Sequence, residues 1–254
     1  MKLTDEDIWY FKYTGFLRLP DTLPGDLVDR LNAVTDVQVQ QMIEPVVWEK
    51  ARSRDNPLAV RRLSKILDRD PVYLEAASHP VIQETLSGIL GPHIDLLRNK
   101  HNHIMVRPPG SDPVGWHSGE EPYSYTLITA LIYLEESTMG NGCIRLVPGS
   151  HMRPFSRSRR GPRSFRNCKL YYKSVPMPMP RGGVILFNDC CYHGADKNRS
   201  NSSRRSMTLA FRAHDAHDVV KDDPEKILVR GESVYSGHIS PYSDYRLEPP
   251  NKNS

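Results

Sequence analysis

The sequence predicts an all-β core with helices: a double-stranded β-helix (jelly roll, cupin-like) with N-terminal helices packed on it. Three observations carry that prediction. Apolar residues recur at helical spacing through the first part of the chain. The period turns strand-like at Ile94. From there to Ala213, runs rich in Val, Ile, Leu, Tyr and Thr alternate with Pro, Gly and Asn turns. One domain is expected over 1-254, with 1-93 mainly helical, 94-213 the jelly-roll core, 151-173 a basic lid loop and 221-254 an irregular tail.

Thr4 reads as an N-cap with acids behind it, and Gly15 as the end of that helix. Phe16 to Leu19 reads as a short strand stopped by Pro20. Leu27, Leu31 and Val34 mark a second helix, while residues 38–69 carry no clear period. Asp70-Pro71 and His79-Pro80 each predict a helix start with proline at the first position, and Gly91 closes the second. Ile94 to Val106 reads as one long strand, and Tyr123 to Leu134 as another. Asn141-Gly142 is a hairpin signal leading into Cys143 to Val147. Lys169–Val175, Val184–Phe187, Cys190–Gly194 and Ser206–Ala213 complete the strands.

The 254 residues, 38% hydrophobic, can bury a sizeable core. No apolar run reaches the ~20 residues of a spanning helix, and the acidic start lacks a signal-peptide pattern. A soluble cytoplasmic protein is expected, with no membrane partner. The cysteines (Cys143, Cys168, Cys190, Cys191) lack metal-type spacing and are expected as reduced thiols. The net charge of +4 is concentrated between Arg153 and Lys173, which contains no acid. Such a block fits phosphate groups or simply solvent. No polymeric nucleic-acid module accompanies it, and the oligomeric state is not legible.

The chemistry-bearing stretch is Gly115-Trp116-His117-Ser118-Gly119-Glu120, read with His193 and Arg204. Two histidines in extended segments suit Fe(II), whose usual site adds one carboxylate. An Asp or Glu two residues after the first histidine would supply it; this chain has Gly119, which cannot ligate. A coordination place is thereby left for a halide. Glu120 or Glu121 could restore the carboxylate if the chain turned after Gly119. Arg204 can meet a carboxylate with two parallel hydrogen bonds, and its neighbour Arg205 should face the other way. His101 and His103 alternate on one face but lack a third ligand. Each histidine or arginine taken alone is more often ordinary surface or core.

The segment Gly115 to Arg212 resembles the phytanoyl-CoA dioxygenase superfamily, in Trp116-His117, Asn141-Gly142-Cys143 to Pro148-Gly149-Ser150-His151, and His193-Gly194 to Asn198-Arg199-Ser200 and Arg204. Tyr13-Thr14-Gly15-Phe16-Leu17 and Leu19-Pro20 resemble its opening. The resemblance implies Fe(II), 2-oxoglutarate and O2, with His117 and His193 as metal ligands and Arg204 on the keto acid. Gly119 departs from the family's dioxygenases and matches its halogenating branch, which implies chloride at that place. The chain is thus read as a halogenase, with a hydroxylase of the same superfamily as the alternative. Asn102 and Thr129 are further candidates on the keto-acid side, and Tyr133 faces inward with them. The substrate is read as a small phosphorylated molecule, foremost a nucleotide, with a carrier-protein thioester or coenzyme A as other choices. Arg153, Arg157, Arg159, Arg163 and Arg212 are its candidate contacts.

Overall fold

The computed structural model describes residues 2–48, 56–119, 127–152, 173–216 and 224–233. In chain order these form α1 (Asp5–Thr14), β1 (Phe16–Arg18), α2 (Gly25–Gln40), β2 (Val46–Trp48), β3 (Val60–Ser64), α3 (Pro71–Ala77) and α4 (Pro80–Leu90). Then come β4 (Ile94–Leu97), β5 (His103–Arg107), β6 (Val114–His117), β7 (Leu127–Tyr133), β8 (Ile144–Leu146) and β9 (Val175–Pro176). The last elements are β10 (Val184–Asn188), β11 (His193–Ala195), β12 (Arg204–Ala213) and β13 (Ile227–Arg230).

The helix ends follow from local chemistry. Thr4 and Asp7 close a reciprocal capping box, and Gly15 takes the left-handed conformation (φ 85°) that ends α1. The Asp70 carboxylate accepts from the Val72 N–H at the start of α3, beside Pro71. His79 plays the same part for α4, beside Pro80.

The strands form two antiparallel sheets, the double layer of a jelly roll. The larger runs β1-β10-β7-β12-β5-β3-β2, with β4 on β12 and β13 on β4; the smaller runs β6-β11-β8-β9. Alternation assigns each side chain a face. Ile104, Ile128, Ile132, Leu186, Met207 and Phe211 point outward and pack with Leu27, Leu31, Tyr73, Ile82 and Leu86 of the helices. Leu131, Tyr133, Ile185 and Phe187 point inward and pack with Ile144 and Leu146 of the smaller sheet.

Several sequence expectations are corrected. Ile94–Val106 is two strands, because the long β12 takes two partners along one edge. Arg204–Thr208 pair with β5, and Ala210–Ala213 pair with β4. The turn between them holds His101 at φ 51°. Asn141-Gly142 does make a tight turn, with Gly142 at φ 77°. It joins no hairpin, since β7 pairs β10 and β12 while β8 pairs β11 and β9. Residues 38–69 supply β2 and β3 to the large sheet, so the N-terminal part is less helical than expected. The tail contributes β13, which pairs β4. The strand expected at Cys190 begins only at His193, after a turn in which the Cys191 N–H bonds the Asn188 carbonyl. Of the strand expected at Lys169–Val175, the described part forms only β9.

Candidate active site

His117 ends β6 and His193 opens β11, and the two are direct partners across the small sheet. Their ring centroids lie 4.2 Å apart. Each ring is fixed by the same device. The Nδ1 of His117 lies 2.8 Å from the Gly115 carbonyl, and that of His193 lies 2.9 Å from the Cys191 carbonyl. A carbonyl only accepts, so each Nδ1 carries a proton, and in the neutral tautomer that this selects the lone pair lies on Nε2. That is the arrangement in which backbone partners orient imidazoles toward a metal. Burial, then the neighbouring His117, pushes the His193 pKa down to about 3, so it is a neutral donor.

Both rings face a cavity of about 320 Å³ between the sheets. Arg204 lines it from β12, and alternation puts Ser206 and Thr208 on the same face. The Arg204 side chain is buried, lies 5.8 Å over the Tyr133 ring, and leaves its Nε without a hydrogen-bond partner among the described residues. A buried guanidinium with a free donor fits an incoming carboxylate. Arg205 faces the other way, as expected, and pairs with Asp36 at 2.6 Å and Glu135 at 3.0 Å.

Gly119 has a neighbour that sequence reasoning did not find. Its N–H donates to the Asp189 carbonyl at 2.7 Å. A Cβ on residue 119 would overlap the Asp189 carboxylate, at Oδ2 and Cγ, and stand 2.9 Å from the Asp189 carbonyl oxygen. The carboxylate is held there: His101 Nε2 lies 2.8 Å away, Lys100 Nζ 3.3 Å, and the Thr129 hydroxyl donates at 3.2 Å. Burial works to raise the Asp189 pKa; the His101 hydrogen bond and charge, then Lys100, outweigh it and leave the carboxyl below its ordinary range. Among the described residues, no three His, Cys, Asp or Glu groups converge as a metal site. Asp189 therefore stands beside the imidazole pair and does not complete it as placed.

The other sequence candidates are placed as follows. Thr129 serves Asp189 and does not line the cavity. Asn102 is spent on structure: its Oδ1 accepts from the Leu67 N–H and its Nδ2 donates to the Arg98 carbonyl. Arg212 is buried on β12 opposite Asp95, outside the cavity lining. Arg153, Arg157, Arg159 and Arg163, with Glu120 and Glu121, lie outside the described residues. His101 and His103, set aside in the sequence, both line the cavity, as do Arg62 and Arg107. Their alternation was the available signal; Asp189 offered none. His214 beyond β12 pairs with Asp95 at 2.8 Å. Among the described residues, Cys143, Cys190 and Cys191 form no disulfide, and burial pushes the Cys191 pKa up to about 12. No described helix is long and apolar enough to cross a membrane.

Paired imidazoles and a buried arginine lining one cavity between the two sheets fit a jelly-roll oxygenase of the iron/2-oxoglutarate type. Residues 11–206 match the family model "Phytanoyl-CoA dioxygenase (PhyH)", and the chain belongs to that family. The mouse phytanoyl-CoA dioxygenase domain-containing protein 1 is 28% identical over 155 residues, which span 55% of this chain and 52% of that protein. Dioxygenase lolE1 of Epichloe uncinata is 24% identical over 210 residues, 80% of each chain. The fold is similar to that of EctD from S. alaskensis with bound Fe, with a TM-score of 0.72 and 19% identity over 91% of this chain and 87% of that one.

Proposed function

We propose that the chain oxidises an unactivated C–H bond of a small anionic substrate with Fe(II), 2-oxoglutarate and O2, and that it delivers chlorine to the carbon. His117 and His193 would hold the metal through Nε2, and Arg204, with Ser206 beside it, would receive the distal carboxylate of the keto acid. Bound together, metal, keto acid and O2 supply hydrogen-atom abstraction from carbon. The protein's own task is to orient these groups and the target carbon.

The observation carrying the halogenase reading is that the room for a side chain at residue 119 is taken by Asp189. The lost carboxylate is thus built into the packing, and a metal held by His117 and His193 would be left with no ligand from residue 119, which would let it take a chloride. A bare carboxylate about 4 Å from a halide would repel it by roughly 4 kcal/mol at an effective dielectric of 20. The Lys100 ammonium beside Asp189 offsets that charge, and the His101 ring hydrogen-bonds the carboxylate. For the substrate, a phosphorylated small molecule such as a (deoxy)nucleotide is proposed. The support is a cavity lined by arginines and histidines with no Asp or Glu among the described residues.

Asp189 also favours a second reading, hydroxylation. Its carboxylate stands against residue 119, and the mouse and fungal relatives carry dioxygenase names. Anaerobic Fe(II) plus 2-oxoglutarate should give the visible band of a chelated keto acid. On the halogenase reading chloride perturbs that band, and Asp189→Asn keeps both the band and the iron affinity. A band indifferent to chloride, with iron affinity lost in Asp189→Asn, would establish the hydroxylase instead. Product masses from a panel of nucleotides and carrier-bound acids then identify the substrate.

A further inference from the structure

The cavity wall holds three arginines, and they are not equivalent. Arg107 is committed to the fold: its Nη2 donates to the Asp112 carbonyl at 3.0 Å and the Asp196 carbonyl at 2.7 Å. Arg204 is the arginine assigned above to the keto acid. Arg62 remains. It lies on β3, opposite Met105 of β5, which is itself opposite Ser206 of β12. Two strand spacings, about 10 Å, therefore separate its Cα from that of Ser206. Its Nε is buried without a hydrogen-bond partner, and no described acid lies within ion-pair distance of its guanidinium.

A partly buried cation facing a cavity costs free energy unless an anion meets it. The large sheet thus presents two cationic places on one inner face, at Arg204 and at Arg62. One keto acid, bound at Arg204, leaves the other open. His103 stands one row along from Arg62 on the neighbouring strand and lines the same cavity. Burial, then His101 and Arg62, pushes its pKa down to about 3, so near neutrality it is an uncharged hydrogen-bonding group beside the guanidinium.

We propose that Arg62, with His103 beside it, anchors an oxyanion of the substrate, a carboxylate or phosphate, separately from the keto acid at Arg204. This rests on the oxygenase reading and names the substrate class that the site takes. The anchor and the target C–H share one cavity, which His117, His193, Arg62 and His103 all line. A guanidinium fork gives that group a fixed orientation, which fixes the carbon offered to the metal.

The full chain, loaded anaerobically with Fe(II) and 2-oxoglutarate, is titrated with inorganic phosphate and with acetate by calorimetry. Wild type binds at least one of them, and the tighter one tells phosphate from carboxylate. Arg62→Gln weakens that binding by about tenfold or more while 2-oxoglutarate affinity stays within about twofold; Arg204→Gln does the reverse. Equal anion affinity in wild type and Arg62→Gln overturns the proposal, as does a wild type that binds neither anion. Loss of 2-oxoglutarate affinity in Arg62→Gln also overturns it, since Arg62 would then be the keto-acid site. Should Arg62→Gln fold poorly, wild type supplies the test: phosphate or acetate slows phenylglyoxal modification of Arg62, mapped by mass spectrometry. Absence of protection overturns the proposal. A wild type that binds the anion without 2-oxoglutarate, and never binds the keto acid, sinks the oxygenase reading and leaves the Arg62 anchor standing.

Discussion

The carboxylate of Asp189 occupies the space that any side chain on residue 119 would need. The two backbones are tied by the Gly119 N–H to the Asp189 carbonyl at 2.7 Å, so neither can retreat without losing that bond. Lys100, His101 and Thr129 hold the carboxylate in place. Gly119→Ala is therefore expected to destabilise the protein by about 1–3 kcal/mol, the usual range for overpacking. Urea unfolding monitored by circular dichroism checks this. Asp189→Gly opens the space, so Gly119→Ala with Asp189→Gly should be less destabilised than the two single variants added together. Strict additivity, or an Ala variant as stable as wild type, would show that the two residues do not compete for one volume. Gly119→Asp alone tests a collision before it tests a metal ligand.

The local parts of this site were legible, and the assembled parts were not. Thr4, Asp70-Pro71 and His79-Pro80 marked helix starts because a cap acts over two or three residues. Arg204 and Arg205 separated onto opposite faces because strand alternation is fixed by the backbone. His117 and His193 were identifiable as residues, but their direct pairing across the small sheet depends on tertiary structure. The break at residues 98–102 was invisible for a similar reason. Nothing within Ile94–Val106 says that β12 will need two partners, and the break is what brings His101 to Asp189. Asp189 sits in an ordinary-looking turn after β10, and its meaning comes from a residue far earlier in the chain. Asn141-Gly142 specifies a tight turn but not the strands it joins, since turn residues do not determine which strands pair.

Adjacent arginines should behave as different residues. Arg204 is buried with an unused Nε; Arg205 reaches Asp36 and Glu135 on the outer side. Arg204→Gln should cut 2-oxoglutarate affinity by about 10- to 100-fold, the worth of roughly 1.5–3 kcal/mol in charged hydrogen bonds. Arg205→Gln should leave that affinity unchanged and act on stability alone, chiefly through the mostly buried Glu135 pair, since the Asp36 partner is exposed. Calorimetry of keto-acid binding beside a thermal melt separates the two. Equal effects of both variants on binding would remove Arg204 from the site.

Acid should destabilise the metal-free protein before its carboxylates titrate. Burial, then neighbouring charge, pushes both His103 and His193 down to about 3. An unfolded histidine has a pKa of about 6.5, so on acidification the unfolded chain takes up these protons first. The stability tied to the neutral rings is fully present above about pH 6.5 and is lost as pH falls toward about 3. The limiting slope is about 1.4 kcal/mol per pH unit for each fully buried ring, and the partly exposed His103 reaches less of it. Asp189, whose carboxyl is held below its ordinary range, adds a loss in the same direction only below about pH 4. Urea midpoints of metal-free protein should therefore fall between about pH 7 and pH 5, and His103→Gln should flatten that fall. Asp189→Asn should leave the slope in that window unchanged and alter only the more acidic limb. A wild-type profile flat from neutrality to about pH 5 would mean that burial does not hold His103 and His193 below the pKa of an unfolded histidine.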